Sequence, residues 1–181
     1  RTLAFTRSVG SVSEIWTLDL ATGQASLLFA APSVPGNPFY PAWSPDGNQL
    51  AFVVNEGEDD DIWVTPYPLV ADGFRRVTPD DGQTRWFPFW ASNDTLLFQI
   101  YATGDPGPSI RAIDLTSGTE TVIIPSRGGE WYPRLSPDGS TLMWNSERYS
   151  PNGDIFVAPY RGAALIPDSE HRRITPASGY N

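Results

Sequence analysis

The stretch YPAWSPDGNQLAFVV, residues 40–54, holds a short polar turn, SPDG, between two apolar runs. Proline presets φ for a type I turn, serine and aspartate can bond back to the turn amides, and glycine tolerates the left-handed conformation that closes a hairpin. A similar stretch, YPRLSPDGSTLMWNS, occupies residues 132–146. We therefore predict two hairpins of one design. Their aspartates are interpreted as turn-forming residues rather than as metal ligands or catalytic acids.

The two hairpins belong to a longer repeat. The apolar strand after the turn has equivalents whose aromatic residues, Phe5, Phe52, Phe98 and Trp144, follow one another at intervals of 47, 46 and 46. Three further strand families recur with nearly the same period: EIWTLDL and its equivalents, RRVTP and its equivalents, and the strand before the turn. Four short strands in a unit of about 46 residues are typical of a β-propeller built from four-stranded antiparallel blades.

We therefore predict an all-β fold in which residues 1–181 form one propeller region. The repeat units are expected at approximately 1–37, 38–84, 85–129 and 130–181. Strand interiors such as LAFVV and TLLFQI are apolar on both faces, as blades that pack on two neighbours require. A two-sheet sandwich is the structural alternative, but it does not predict so regular a repeat. The 18 prolines and 16 glycines leave little room for helices of ordinary length.

Composition excludes several classes of function. A formal charge of −9 disfavours a nucleic-acid partner, because phosphates would be repelled. The absence of cysteine excludes disulfides, thiolate zinc sites and a cysteine nucleophile. No run of about 18 apolar residues occurs, so no transmembrane helix is expected.

The motif P-x-W-S-P-D-G-x-x-L-A-F, followed by D-I-W-V, resembles the repeat of TolB-like propellers, most specifically at residues 41–64 and 133–157. This resemblance implies a non-enzymatic module that binds a protein or peptide in the bacterial envelope, at a periplasmic or other extracytoplasmic location, or in a sensor protein. The same repeat occurs in the propellers of prolyl-oligopeptidase-type and tricorn-type peptidases. The alternative is therefore a substrate-gating propeller of a serine peptidase whose catalytic domain is absent from this chain.

The number of repeats departs from the six blades expected of TolB-type propellers. The sequence accounts for one unit without its first strand and three complete units, which together make fifteen strands. We therefore expect an incomplete part of a larger propeller. Additional blades or self-association with another copy would complete the ring, and an open arrangement and a closed four-blade ring are the alternatives.

Binding is expected on the face formed by the connections after the second and fourth strands of each unit. The SPDG turns lie on the opposite face in this interpretation. Aromatic residues beside arginine and glutamate in glycine-bearing loops are typical of protein recognition. The predicted partner-binding residues are Phe39, Tyr40, Arg85, Trp86, Glu130, Trp131 and Tyr132. Replacing Trp131 or Arg85 with alanine is expected to weaken partner capture without unfolding the domain.

The remaining polar motifs are assigned no chemistry. The acidic run EGEDDD, residues 56–61, could offer oxygens to Ca²⁺ but lacks the spacing of a calcium loop, and Asp61 is interpreted as structural. No metal, cofactor or catalytic residue is predicted, and the single histidine, His171, is expected to be an exposed loop residue. The turn at residues 91–94 lacks proline and glycine. We expect Asn93 or Asp94 to adopt the left-handed conformation there, in the softest of the hairpins.

Overall fold

The computed structural model of the chain describes residues 1–57 and 59–175. Within these residues there are fifteen β-strands and one short 3₁₀ helix, Asp168–Glu170. The strands are β1 (Thr2–Val9), β2 (Val12–Asp19), β3 (Ala25–Ala30), β4 (Asn37–Trp43), β5 (Gln49–Asn55), β6 (Asp60–Pro66), β7 (Arg75–Arg76), β8 (Thr84–Trp90), β9 (Thr95–Tyr101), β10 (Ser109–Asp114), β11 (Glu120–Ile124), β12 (Glu130–Leu135), β13 (Thr141–Ser146), β14 (Asp154–Pro159) and β15 (Arg172–Arg173). No helix in this part of the chain is long and apolar enough to cross a membrane.

The strands form four antiparallel sheets in which neighbours in sequence are neighbours in space. The first sheet has three strands in the order β1-β2-β3, and the second has the order β4-β5-β6-β7. The third and fourth have the orders β11-β10-β9-β8 and β12-β13-β14-β15. This is the arrangement that the repeat predicts, including a first repeat with only three strands. The all-β prediction is therefore confirmed. By its contacts the chain divides into two compact units, Arg1–Asn93 and Asp94–Asn181.

The strands β5 and β9 supply much of the buried core. All five interior residues of β5, Leu50–Val54, are fully buried, as are Leu96–Ile100 of β9. Both faces of these strands are covered, which explains why apolar residues do not alternate with polar ones along them. In the first unit, Phe52 packs against Phe29 at 4.8 Å and against Phe74 at 6.1 Å between ring centroids.

The SPDG turns owe their form to their aspartates. In the first of them, Asp46 accepts hydrogen bonds from the Ser44 hydroxyl at 2.7 Å and from the Asn48 amide at 3.0 Å, and Gly47 has φ +74°. Asp138 bonds Ser136 and the Ser140 amide in the same way. These carboxylates are engaged within their own turns, as the turn-forming interpretation requires.

The expectation for the turn at residues 91–94 is wrong in one respect. Neither Asn93 nor Asp94 has a positive φ, so the turn closes without a left-handed residue. Instead, the Asn93 side-chain oxygen accepts the Asp46 amide at 3.2 Å, and the Gln49 side chain donates to the Asn93 carbonyl at 3.1 Å. This turn is therefore held by bonds to the preceding SPDG hairpin rather than by its own backbone conformation.

Candidate partner-binding site

Three aromatic residues at the same place in consecutive repeats have left-handed backbones. Tyr40, Phe87 and Tyr132 have φ angles of +53°, +55° and +54°, and a proline follows each of them. Such angles are uncommon for bulky residues and cost about 1–3 kcal/mol. The pairing of β4 with β5 and that of β12 with β13 shift register at this point, which marks a β-bulge.

Two of the left-handed residues, Tyr40 and Tyr132, are anchored through their amides. The Tyr40 N–H donates to the Thr6 hydroxyl at 3.2 Å, and the Tyr132 N–H donates to the Gln99 side-chain oxygen at 3.4 Å. Thr6 and Gln99 occupy equivalent positions, directly after the repeated phenylalanine of β1 and β9. With the backbone fixed, the side chains are left 42% exposed at Tyr40 and 48% exposed at Tyr132.

In the first unit, four aromatic residues form what we call the first aromatic group: Phe39, Tyr40, Trp86 and Phe87. The Tyr40 ring lies 4.2 Å from Phe87 and 5.0 Å from Phe39 between centroids. The Trp86 ring lies 6.2 Å from Phe87, and its indole N–H donates to Asp60. Three of the predicted binding residues, Phe39, Tyr40 and Trp86, thus lie in one group.

In the second unit, Tyr101, Trp131 and Tyr132 form the second aromatic group. The Tyr101 and Trp131 rings are 5.7 Å apart at an interplanar angle of 74°, and the Trp131 and Tyr132 rings are 6.3 Å apart at 34°. Burial raises the pKa of the Tyr101 hydroxyl, and nearby Glu147 and Tyr132 add to the increase. Two of the predicted binding residues, Trp131 and Tyr132, thus lie in this group.

Arg85 is placed differently from the prediction. Its side chain is only 1% exposed and forms a two-bonded ion pair with Asp81 at 2.8 and 2.9 Å. It also donates to Asp61 at 3.4 Å. Its burial argues against direct contact with a partner. Removing it would take one donor from buried Asp61 and both bonds from Asp81, so Arg85→Ala is expected to destabilise the fold, contrary to the expectation from the sequence.

Glu130 is also buried, at 0% exposure. Its carboxylate accepts the Trp144 indole N–H at 2.7 Å and an Arg148 guanidinium N–H at 3.0 Å. Burial raises the pKa of this carboxyl, although Arg148 acts in the opposite direction. Glu130 therefore fastens β12 to β13 and to the segment after β13.

The expectation of an exposed His171 is wrong. Its side chain is 1% exposed, and its ring packs edge-on against Trp144 at 4.9 Å between centroids. Nε2 lies 3.1 Å from the Ile166 carbonyl and must donate to it, so Nδ1 accepts from Arg148 at 3.2 Å. Burial lowers the pKa of the imidazole, and Arg148 adds to this effect.

Asp61 has a structural environment. It accepts hydrogen bonds from Thr78 at 2.8 Å and Arg76 at 3.1 Å, besides the one from Arg85. Asp59, Asp61 and Asp80 have carboxylate oxygens within 4.8 Å of one another, the spacing of a cation site. The two arginines already supply the positive charge that Asp61 requires. Glu58 of the predicted acidic run lies outside the described residues.

Several residues of these groups were not predicted. Phe87 could have been found, because WFP, FYP and WYP align in the repeat. Tyr101 is the last residue of β9 and Glu147 directly follows β13. Neither belongs to a common motif, so no sequence signal places them beside Trp131. A cavity of about 420 Å³ in the first unit, beside the first SPDG turn and lined in part by Trp43 and Tyr67, was also not predicted.

Solved structures show what this arrangement of sheets is similar to. No protein-family model matches the chain. TolB from Acinetobacter baumannii superposes with a TM-score of 0.70 at 17% identity, over 88% of this chain and 38% of that one. A putative TolB from Agrobacterium tumefaciens gives 0.61 at 18% identity, over 88% of this chain and 55% of that one.

Peptidase structures match as well. A puromycin-hydrolyzing peptidase of Mycobacterium tuberculosis gives a TM-score of 0.59 at 18% identity, over 89% of this chain and 27% of the peptidase. The present chain thus spans only about a quarter to a half of these structures. Identities this low indicate the fold alone, and the chain accordingly has the fold of a TolB-like β-propeller, of which it forms an incomplete part.

Proposed function

We propose that the chain is a non-enzymatic interaction module of extracytoplasmic bacterial proteins. It binds a protein or peptide partner through the aromatic side chains that the left-handed residues present. Both TolB-like and peptidase propellers share its fold, and the described residues offer no observation that favours the peptidase alternative.

One observation carries the proposal: the strained conformation at Tyr40, Phe87 and Tyr132 recurs in three repeats. Strain of this kind persists where the surrounding structure enforces it, and it concentrates at functional positions. Here it leaves two tyrosines more than 40% exposed beside further aromatic rings. Tyrosine is enriched among the residues that contribute most to protein interfaces, because it offers a large rigid surface with a polar end.

The buried ion pairs support the same reading. Arg85 and Glu130 directly precede Trp86 and Trp131, and their charged groups bond within the chain at 2.8–3.4 Å. They fix the start of β8 and β12 and hence the positions of the aromatic residues that follow. We assign them a positioning role rather than contact with the partner.

The proposal is tested by selecting binders from a random peptide library displayed on phage, with the whole chain as bait. Peptides that bind are expected to lose about tenfold in affinity when Tyr40 or Tyr132 is replaced by alanine, as for interface residues worth about 1–2 kcal/mol. Affinities are measured by calorimetry, and circular dichroism verifies that each variant remains folded.

Leu20→Ala is the matched control, since this residue is 56% exposed but belongs to the connection after β2 in the first unit, apart from the aromatic groups. It should leave binding unchanged. Failure to enrich any peptide, or equal affinity of the tyrosine variants and the native chain, would contradict the proposed function.

A further inference from the structure

Glu147 lies beside the second aromatic group. Among residues 1–57 and 59–175, no ion pair of the Glu147 carboxylate is found, whereas the buried acids Asp61, Glu130 and Asp154 all pair with arginine. Arg148, the arginine nearest in sequence, pairs with Glu130 at 3.0 Å, and Arg127 pairs with Asp168 at 3.1 Å.

The backbone brings this carboxylate to the indole of Trp131. The Glu147 amide donates to the Gly129 carbonyl at 2.9 Å, which fixes the end of β13 against the residue that precedes β12. A Cβ at Gly129 would lie 2.6 Å from the Trp131 indole nitrogen and 2.8 Å from a Glu147 carboxylate oxygen. Both groups therefore border the same small volume, which only glycine leaves open.

Two tyrosine rings lie beside the Trp131 indole. Tyr101 stands nearly perpendicular to it, at 74°, and Tyr132 is inclined to it by 34°. Tyr101 and Tyr132 are 38% and 48% exposed, so part of each ring is accessible to solvent. The influence of Glu147 on the pKa of Tyr101 agrees with a short separation between the carboxylate and this ring.

At the equivalent position of the preceding repeat, the tryptophan indole has an internal hydrogen-bond partner. There the Trp86 indole N–H donates to Asp60, an internal partner. The residue equivalent to Asp60 in the next repeat is Pro108, which has no side-chain acceptor. The Trp131 indole nitrogen accordingly has no hydrogen-bond partner among the described residues, so its ring is not committed to an internal carboxylate.

We propose that Tyr101, Trp131, Tyr132 and Glu147 form a site for the guanidinium group of an arginine side chain on the partner. A planar guanidinium stacks on aromatic faces and pairs with a carboxylate, and few other groups do both. The net charge of −9 favours the approach of a basic partner. This inference rests on the proposed function and specifies the chemistry of its partner.

The test uses the whole chain and the dipeptide-like probe Nα-acetyl-arginine amide. Binding is followed by nuclear magnetic resonance at the indole N–H of Trp131, assigned with a Trp131→Phe variant. The arginine probe should shift this resonance. The corresponding citrulline compound, Nα-acetyl-citrulline amide, has the same shape without the charge and should bind at least about tenfold more weakly. Glu147→Gln should weaken arginine binding about two- to fivefold, because it removes the charge pair and leaves the aromatic contacts in place.

Glu56→Gln is the matched control, because it removes one exposed carboxylate from the other unit. It should leave arginine binding unchanged. Equal binding of citrulline and arginine, or equal losses in the Glu147→Gln and Glu56→Gln variants, would overturn the inference.

The two proposals can fail separately. If library peptides bind through Tyr40 and Tyr132 but lack arginine and are indifferent to Glu147→Gln, the arginine site is wrong and the proposed function stands. If no peptide is enriched while the arginine probe still shifts Trp131, the arginine site stands and the proposed function is wrong.

Discussion

At the scale of single residues, the backbone strain at the left-handed aromatic residues can be measured. At Tyr132, φ +54°, alanine should be less stable than glycine by about 1 kcal/mol, because only glycine adopts this region without steric cost. Both substitutions remove the same ring, so their difference reports the backbone alone. Urea denaturation of the Tyr132→Gly and Tyr132→Ala variants measures it.

At Tyr101 we expect the opposite order of stability for the alanine and glycine variants. It is an exposed tyrosine of β9, and its φ is not positive, so alanine should be the more stable replacement there, by about 0.5–1 kcal/mol. Finding alanine more stable than glycine at both positions would show that the conformation of Tyr132 carries no strain.

At this scale, sequence reasoning placed the candidate residues within the repeat but did not predict the exposure of each side chain. FYP and WYP pointed to Tyr40 and Tyr132, which are exposed. Arg85 and Glu130 stand one residue before their aromatic neighbours and are buried. Their burial depends on Asp61, Asp81, Trp144 and Arg148, whose proximity follows from strand pairing and turns rather than from local sequence.

At the scale of elements, Arg85 connects β8 to β6 and to the connection after β7. Replacing it with alanine leaves Asp61, 2% exposed, without one of its donors and removes the two bonds to Asp81. Asp61 keeps its bonds from Arg76 and Thr78, so the cost is that of lost hydrogen bonds to charged groups rather than of an unpaired buried charge. We therefore expect Arg85→Ala to lower the free energy of unfolding by about 1–3 kcal/mol, as measured by urea denaturation.

Arg75→Ala is the comparison within the same repeat. Arg75 is exposed on β7, and such surface substitutions usually change stability by less than about 0.5 kcal/mol. Equal stability of the two variants would show that the buried ion pair does not hold these elements together.

The turn at residues 91–94 shows why element boundaries were easier to predict than turn conformations. Hydrophobic runs locate β8 and β9 on either side of it, since burial on both faces demands those residues. The turn lacks the proline and glycine that specify a conformation locally. Its form depends instead on bonds from Asn93 to Asp46 and Gln49, which lie more than 40 residues away.

At the scale of the whole molecule, the period of about 46 residues was sufficient for the fold. Each repeat must bury both faces of its second strand, and the same apolar and aromatic residues therefore recur at fixed spacing. Tyr101 and Glu147 had no such signal, because the residues at the end of β9 and directly after β13 differ between repeats. Function on a repeated fold depends on these irregular positions.

The stability of the whole chain should fall on acidification in two separate pH ranges, one set by His171 and one by Asp138. Burial holds the pKa of His171 below its ordinary value of 6.5, so the unfolded chain binds the proton first. The stability that neutral His171 contributes is complete above about pH 6.5 and is lost as the pH falls through the pKa of the folded state. Hydrogen bonds from Ser136 and Ser140 lower the pKa of Asp138 to about 2, so its contribution is lost only between about pH 3.8 and 2.

Thermal unfolding as a function of pH tests both ranges. The melting temperature of the native chain should fall more than that of His171→Gln between about pH 7 and 5, since glutamine does not titrate. Asp138→Asn, which retains a turn-forming side chain, should remove part of the decrease below about pH 3.8 and none of the earlier one. Glu130, whose pKa is raised by burial, acts in the opposite sense, which is why the comparison is made between variants rather than on the native chain alone. Parallel curves for the native chain and His171→Gln would mean that the imidazole is not buried in its neutral form.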